Sequence, residues 1–244
     1  MNIDRKLKSQ IEKLRLDPLK TPKRTPVLLS DSKGFCLERQ VRVNPERFFE
    51  FWCFKSYTAS DSLLYLQQNL QSHVQRLGNI TLFVWIGTCN LTTKTGKFID
   101  VTSHDSSSAY SLIEQLKEIY KFVRTFGDSV KLVFVHIPVY SIYHFNCSKG
   151  RDWDNYEAKD VILHKNIAIV NQYIDDINRI LQVYSPSLSD DLVKSKKKSK
   201  KKVALSRVKY SYTFDPDTDG LHPGQTLSKL WLTRLCRLVH KFCY

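Results

Sequence analysis

No apolar run in this chain approaches the roughly 20 residues needed to span a bilayer, which argues against a helical membrane span. The opening stretch MNIDRKLKSQIEKLRLDPLK lacks the apolar centre of a secretory leader. An intracellular setting, cytoplasmic or nuclear, is therefore expected, with the six cysteines (36, 53, 89, 147, 236, 243) as free thiols. No C-x-x-C pair occurs, so a structural zinc site has no framework. Cys236, His240 and Cys243 recur at helical spacing, but they lack a fourth ligand and read as a stripe facing a core. A Gly-rich phosphate loop of the G-x-x-x-x-G-K type is also missing. No metal and no cofactor are expected.

Acidic residues are scarce in only two places. Residues 1–26 carry a net +5, and residues 194–209, KSKKKSKKKVALSRVK, carry +9 with no acid at all. Together these account for the whole net charge of +14, so the remaining body is neutral. A neutral body argues against a broad basic face for duplex DNA. The appendages themselves suit RNA, DNA, an anionic surface or an import receptor, and equally a solvated insertion. The candidate contacts are Lys196, Lys197, Lys198, Lys200, Lys201 and Lys202.

The 244 residues suffice for one large domain with a full core. Residues 1–26 form a basic arm, in which Ile3, Leu7, Ile11 and Leu14 predict a short amphipathic helix ended by Pro18, Pro22 and Pro26. From residue 27 to 244, strand and helix patterns alternate. Val27–Asp31, Phe48–Phe54, Ile80–Ile86, Val130–Val139 and residues 208–214 read as strands. Residues 61–77, 107–125, 159–182 and 225–242 read as helices. A Lys-rich mobile insertion is expected at 190–207. This order predicts an α/β fold: a three-layer, doubly wound (flavodoxin-like) sheet of about five parallel strands with helices on both faces, in an order such as 2-1-3-4-5.

Such folds bind ligands beyond the carboxyl ends of their strands. Three polar clusters are expected there: Ser30–Ser32 after the first strand, Gly87–Asn90 after the third, and Asp219–His222 after the last. Ser32 alone would pass for a helix cap, and Asp219 and His222 for a surface turn. Taken together they suit acyl transfer, in which an imidazole takes a serine proton and a carboxylate holds the imidazole.

At these residues the chain resembles the SGNH (GDSL-type) hydrolases. Leu29-Ser30-Asp31-Ser32 is similar to their first block, Gly-Asp-Ser; Ile86-Gly87-Thr88-Cys89-Asn90 to their third, Gly-x-Asn-Asp; and Asp219-Gly220-Leu221-His222 to their last, Asp-x-x-His. Esterase domains carried by retroelements are a looser association. The resemblance implies Ser32 as nucleophile, His222 as base and Asp219 as its orienting carboxylate. The substrate it implies is a small ester or acetyl compound.

The blocks also depart from the pattern. Cys89 stands where the family has its oxyanion-binding asparagine, and Asn90 follows one residue later. A thiol is a weak donor. Phe54-Lys55-Ser56-Tyr57 stands where the family's second block has a glycine, and Ser30 replaces the first-block glycine. Loss of one oxyanion donor costs about 10²–10³ in rate, so a slow esterase is expected. Gly87, Cys89, Asn90 and Lys55 are the candidate oxyanion and substrate residues, Lys55 for its positive charge. The rival expectation is a non-catalytic or weakly catalytic binding protein on the same fold, using its basic segments against nucleic acid or an acidic partner.

Overall fold

A computed structural model describes residues 3–14, 21–150, 156–197, 209–216 and 218–244. Four strands form a parallel sheet in the order β2-β1-β3-β6: β1 (Thr25–Ser30), β2 (Glu50–Cys53), β3 (Ile80–Trp85) and β6 (Val130–Phe134). Each step between neighbours crosses through a helix, as parallel pairing requires.

Both faces of this sheet are dry, and the alternation of side chains along each strand builds two cores. Val27, Leu29, Leu82, Val84, Leu132 and Phe134 point to one face, against α3 (Ala59–Leu77), α5 (Ser107–Arg124) and α7 (Tyr156–Ile180). Leu28, Phe83, Trp85 and Val133 point to the other, against α1 (Ile3–Leu14), α2 (Ser32–Glu38) and α8 (Gln225–Phe242). The helices expected from periodicity all form, most within two residues of the expected limits. Within the basic arm, helix α1 lies on α8 and buries Leu7 to 1% exposure.

The fifth expected strand forms but does not join the sheet. β8 (Lys209–Tyr212) pairs antiparallel with β7 (Val193–Lys197) in a separate hairpin. Its sequence explains this. Lys-Tyr-Ser-Tyr alternates polar and aromatic, as suits a half-exposed hairpin, whereas a strand buried on both faces needs a continuous apolar run. A second hairpin, β4 (Thr92–Thr95) with β5 (Phe98–Val101), turns at Gly96 with φ of +60°. Two short helices complete the set, α4 (Thr88–Leu91) and α6 (Ile142–Ser148). Lys196 and Lys197 lie in β7, while Lys198, Lys200, Lys201 and Lys202 fall outside the described residues, as does much of the expected Lys-rich insertion. Among the described residues no helix is long and apolar enough to cross a membrane.

α2 approaches the sheet closely because Gly34 has no side chain. A Cβ there would stand 2.4 Å from Cys53 Sγ and 2.7 Å from Ser30 Cβ, which is fixed to the strand. Gly34→Ala should therefore cost about 1–3 kcal/mol of stability by overpacking. A urea midpoint equal to that of the wild type would show that α2 has room to spare.

Candidate active site

β1 ends at Ser30, and Asp31 turns the chain into α2. Asp31 is extended (φ −73°, ψ −164°) and its Oδ1 accepts the amide hydrogen of Lys33 at 3.0 Å, capping the helix. Ser32 is thereby the first helical residue, half-buried at the carboxyl edge of the sheet.

Asp219 and His222 arrive from the other end of the chain, just before α8. The turn between them needs glycine at 220: φ is +81°, and a Cβ would lie 2.5 Å from His144 Cβ. Ser141, at the start of α6, donates its amide hydrogen to Gly220 O at 2.9 Å and fixes the turn to the body. Asp219 Oδ1 accepts the amide hydrogens of Leu221 (3.2 Å) and His222 (2.9 Å).

These elements bring together three residues that the sequence singled out. His222 Nε2 lies 3.1 Å from Ser32 Oγ, across 190 positions of sequence. His222 Nδ1 lies 3.1 and 3.0 Å from the two oxygens of Asp219. A carboxylate accepts and cannot donate, so Nδ1 carries the ring hydrogen and Nε2 presents its lone pair to the serine hydroxyl. Burial alone would raise the Asp219 carboxyl. The hydrogen bonds from the His222 ring and amide, its charge and the Leu221 amide outweigh that and hold Asp219 at about 2. Lys149 Nζ stands 3.7 Å from Asp219 Oδ2 on the outer side.

The oxyanion candidates separate into different roles. Gly87 (φ +127°) precedes α4, where a Cβ would lie 2.5 Å from Ile137 Cδ1, so its part is to let the loop pass. Asn90 is engaged at both ends of its amide. Oδ1 accepts the Ala59 amide hydrogen at 3.0 Å, and Nδ2 donates to Gln115 Oε1 at 2.9 Å. Asn90 thus ties α4 to the start of α3 and to α5. Cys89 is half-buried. Burial, with the nearby Asp31 carboxylate, raises its thiol, so it is a protonated S–H at neutral pH. Beside it opens a cavity of about 420 Å³ lined by Cys89, Asn90, Thr102, Ser107, Ser111 and Gln115 among others.

In the turn after β2, Lys55 is exposed, while Ser56 takes the left-handed conformation (φ +55°) that glycine adopts without strain. A different lysine, Lys33, is buried beside the nucleophile turn, at only 2% exposure, and is paired with Asp31. Its Nζ lies 2.8 Å from Asp31 Oδ2 and bonds Thr88 Oγ1. Sequence reasoning passed over Lys33 and Thr88. The available signal was a lysine directly after the candidate nucleophile, followed by the small or apolar run Gly34–Leu37. Ser30 Oγ is fully buried and has no hydrogen-bond partner among the described residues.

No family model matches the sequence, and no curated protein matches it either. Solved structures do match in fold. One is a protein assigned as an acylhydrolase from Bacteroides fragilis: 13% identity over 100% of this chain and 98% of that one, TM-score 0.59. Another is a GDSL-like lipase from Bacteroides thetaiotaomicron: 11% identity, 98% of each chain, TM-score 0.55. A third is a carbohydrate acetylesterase from Sinorhizobium meliloti: 12% identity, 90% of this chain and 99% of that one, TM-score 0.55. The chain has the α/β fold of the SGNH/GDSL acylhydrolases and esterases.

The Asp219 environment carries a pH signature. Its folded pKa lies below the ordinary value of 3.8, so its stabilising contribution is present above about pH 4. That contribution is lost as pH falls towards 2, and the depression corresponds to about 2 kcal/mol. In urea titrations at stepped pH, the stability gap between wild type and Asp219→Asn should narrow by this amount between pH 5 and 2. A gap independent of pH would mean that the carboxylate is not held this way.

Proposed function

From a chain with the SGNH/GDSL-hydrolase fold, we propose a serine esterase that transfers the acyl group of a small ester or acetyl compound to water. One observation carries this reading: the continuous hydrogen-bond path Ser32 Oγ, His222 Nε2, His222 Nδ1, Asp219 at the carboxyl edge of the sheet. Ser32 Oγ attacks the ester carbonyl as its proton passes to Nε2. The tetrahedral adduct collapses when the imidazolium gives that proton to the departing alcohol. A water molecule then attacks the acyl-serine, His222 taking its proton and returning it to Ser32 Oγ as the acid leaves. Asp219 keeps the imidazole in the right tautomer and stabilises its charged form throughout.

The same residues account for a modest rate. The Ser32 amide opens α2 and has no acceptor within the helix, so it is free to bind the oxyanion. The second donor would be the Cys89 thiol, because the Asn90 amide is engaged by Ala59 and Gln115. S–H is a weaker donor than an amide N–H. The cavity beside Cys89, lined mostly by serine, threonine, asparagine and glutamine residues, suits the alcohol portion of a small ester. The acetylesterase among the fold neighbours makes an acetyl ester the first compound to try.

Ser32→Ala should abolish hydrolysis of p-nitrophenyl acetate, and a fluorophosphonate should label Ser32 in wild type much faster than in His222→Ala. Equal turnover by wild type and Ser32→Ala would sink the reading. Cys89→Asn, which restores an amide donor, should raise kcat by about 10–100-fold. A drop in kcat would place the oxyanion elsewhere.

A further inference from the structure

The buried pair Asp31–Lys33 has no part in the proton path, yet it joins the two loops on which catalysis depends. Both side chains are almost wholly excluded from solvent, at 1% and 2% exposure. The lysine side chain curls back past Ser32, so that Nζ meets Asp31 Oδ2 at 2.8 Å, bonds Thr88 Oγ1, and lies 5.5 Å from the centre of the Trp85 ring. Asp31 immediately precedes the candidate nucleophile. Thr88 immediately precedes Cys89, and its carbonyl is itself held by Thr92 Oγ1 at 2.9 Å and by the Tyr140 hydroxyl at 3.3 Å. One ammonium group therefore spans the gap between the nucleophile turn and the oxyanion loop.

Stability alone does not explain a charged pair here. Replacing a buried ion pair with apolar residues of similar volume is often neutral or stabilising. A lysine in this place supplies something an apolar side chain cannot, namely a directional link to hydroxyl and carboxylate partners on two separate loops. Deleting only the link to Thr88 leaves the charge still paired with Asp31, so the two functions of the lysine can be separated.

We infer that Lys33 is a positioning residue that sets the spacing between Ser32 and the oxyanion loop at Cys89, acting through Asp31 on one side and Thr88 on the other. This rests on the serine-esterase reading above. A displacement of about 1 Å between nucleophile and oxyanion donor costs on the order of 10² in rate. The effect falls on the chemical step, since neither residue lines the cavity beside Cys89.

The test compares wild type, Lys33→Met, Thr88→Val, Thr88→Ser and the double variant Lys33→Met/Thr88→Val, with p-nitrophenyl acetate and with fluorophosphonate labelling of Ser32. Lys33→Met and Thr88→Val should each lower kcat about 10–100-fold with KM nearly constant, and Thr88→Ser, which keeps the hydroxyl, should retain wild-type kcat. The double variant should be no slower than the slower single one, because both break the same link. A purely structural role would instead lower the unfolding midpoint and leave the kcat of the folded fraction intact. A folded Lys33→Met with wild-type kcat overturns the inference, and so do additive effects. Should Lys33→Met not fold, Thr88→Val decides, since it leaves the Asp31–Lys33 pair in place, and unchanged kcat there is equally fatal. A wild type that neither turns over nor labels at Ser32 removes the esterase reading, and this inference with it. Normal wild-type labelling with unaffected variants removes the inference alone.

Discussion

Burial of both faces of the parallel sheet is the constraint from which the site follows. With three helices packed on each side, the strands have no polar face to offer, and side chains that need water or charge are confined to the strand ends. Ser30, Trp85 and Phe134 end neighbouring strands, and the loops that follow carry Ser32, Cys89 and the contacts to the Asp219 turn. Parallel pairing puts all these ends on one edge. Ser32 reaches this rim on β1, while the Asp219–His222 turn, which follows no strand of the sheet, is held there by Ser141, so residues 190 positions apart meet.

The proposed proton path and the proposed oxyanion side are built with unequal care. The proton path is fixed from several directions: Gly220 permits the turn, Ser141 anchors it, and two backbone amides orient Asp219 before the imidazole reaches it. On the proposed oxyanion side stands the Cys89 thiol, while the amide of the neighbouring Asn90 is engaged in joining helices. Binding a developing negative charge is usually the largest single contribution to such catalysis, so this asymmetry bears on speed more than on reaction type.

Much of this was legible in the residues. Ile80–Trp85 is apolar but for Thr81 and reads as a strand buried on both faces, and Asp219-Gly220-x-His222 carries both its chemistry and the glycine its turn needs. What stayed hidden depended on contacts across the fold. The alternation of 209–212 argues against a place buried in the main sheet, but nothing local names 193–197 as its partner. Asn90 was a plausible donor until Ala59 and Gln115 were seen to claim it. Lys33 reads as a surface residue, because lysine is rarely buried, and its partner Thr88 lies 55 positions away.

The departures from the family blocks share a physical logic when compared one by one. Ser56 adopts a left-handed backbone (φ +55°) where a glycine would do so without strain, a conformation that costs a non-glycine residue roughly 1–3 kcal/mol. Ser30 brings a hydroxyl into the core at the end of β1 and leaves it without a partner, an expense of about 1–3 kcal/mol for a buried polar group. These costs fall at the carboxyl ends of the neighbouring strands β1 and β2, and neither is repaid by a contact shown at the same residue. The compensation lies in the cross-links around them. Gly34 lets α2 seat against β1 and β2, Phe54 donates its amide hydrogen to Ser30 O at 3.0 Å, and Lys33 ties the turn to Thr88. A site assembled on strained and unsatisfied groups holds its geometry only if its neighbours over-determine it. In this chain that duty falls to the residues beside Ser32.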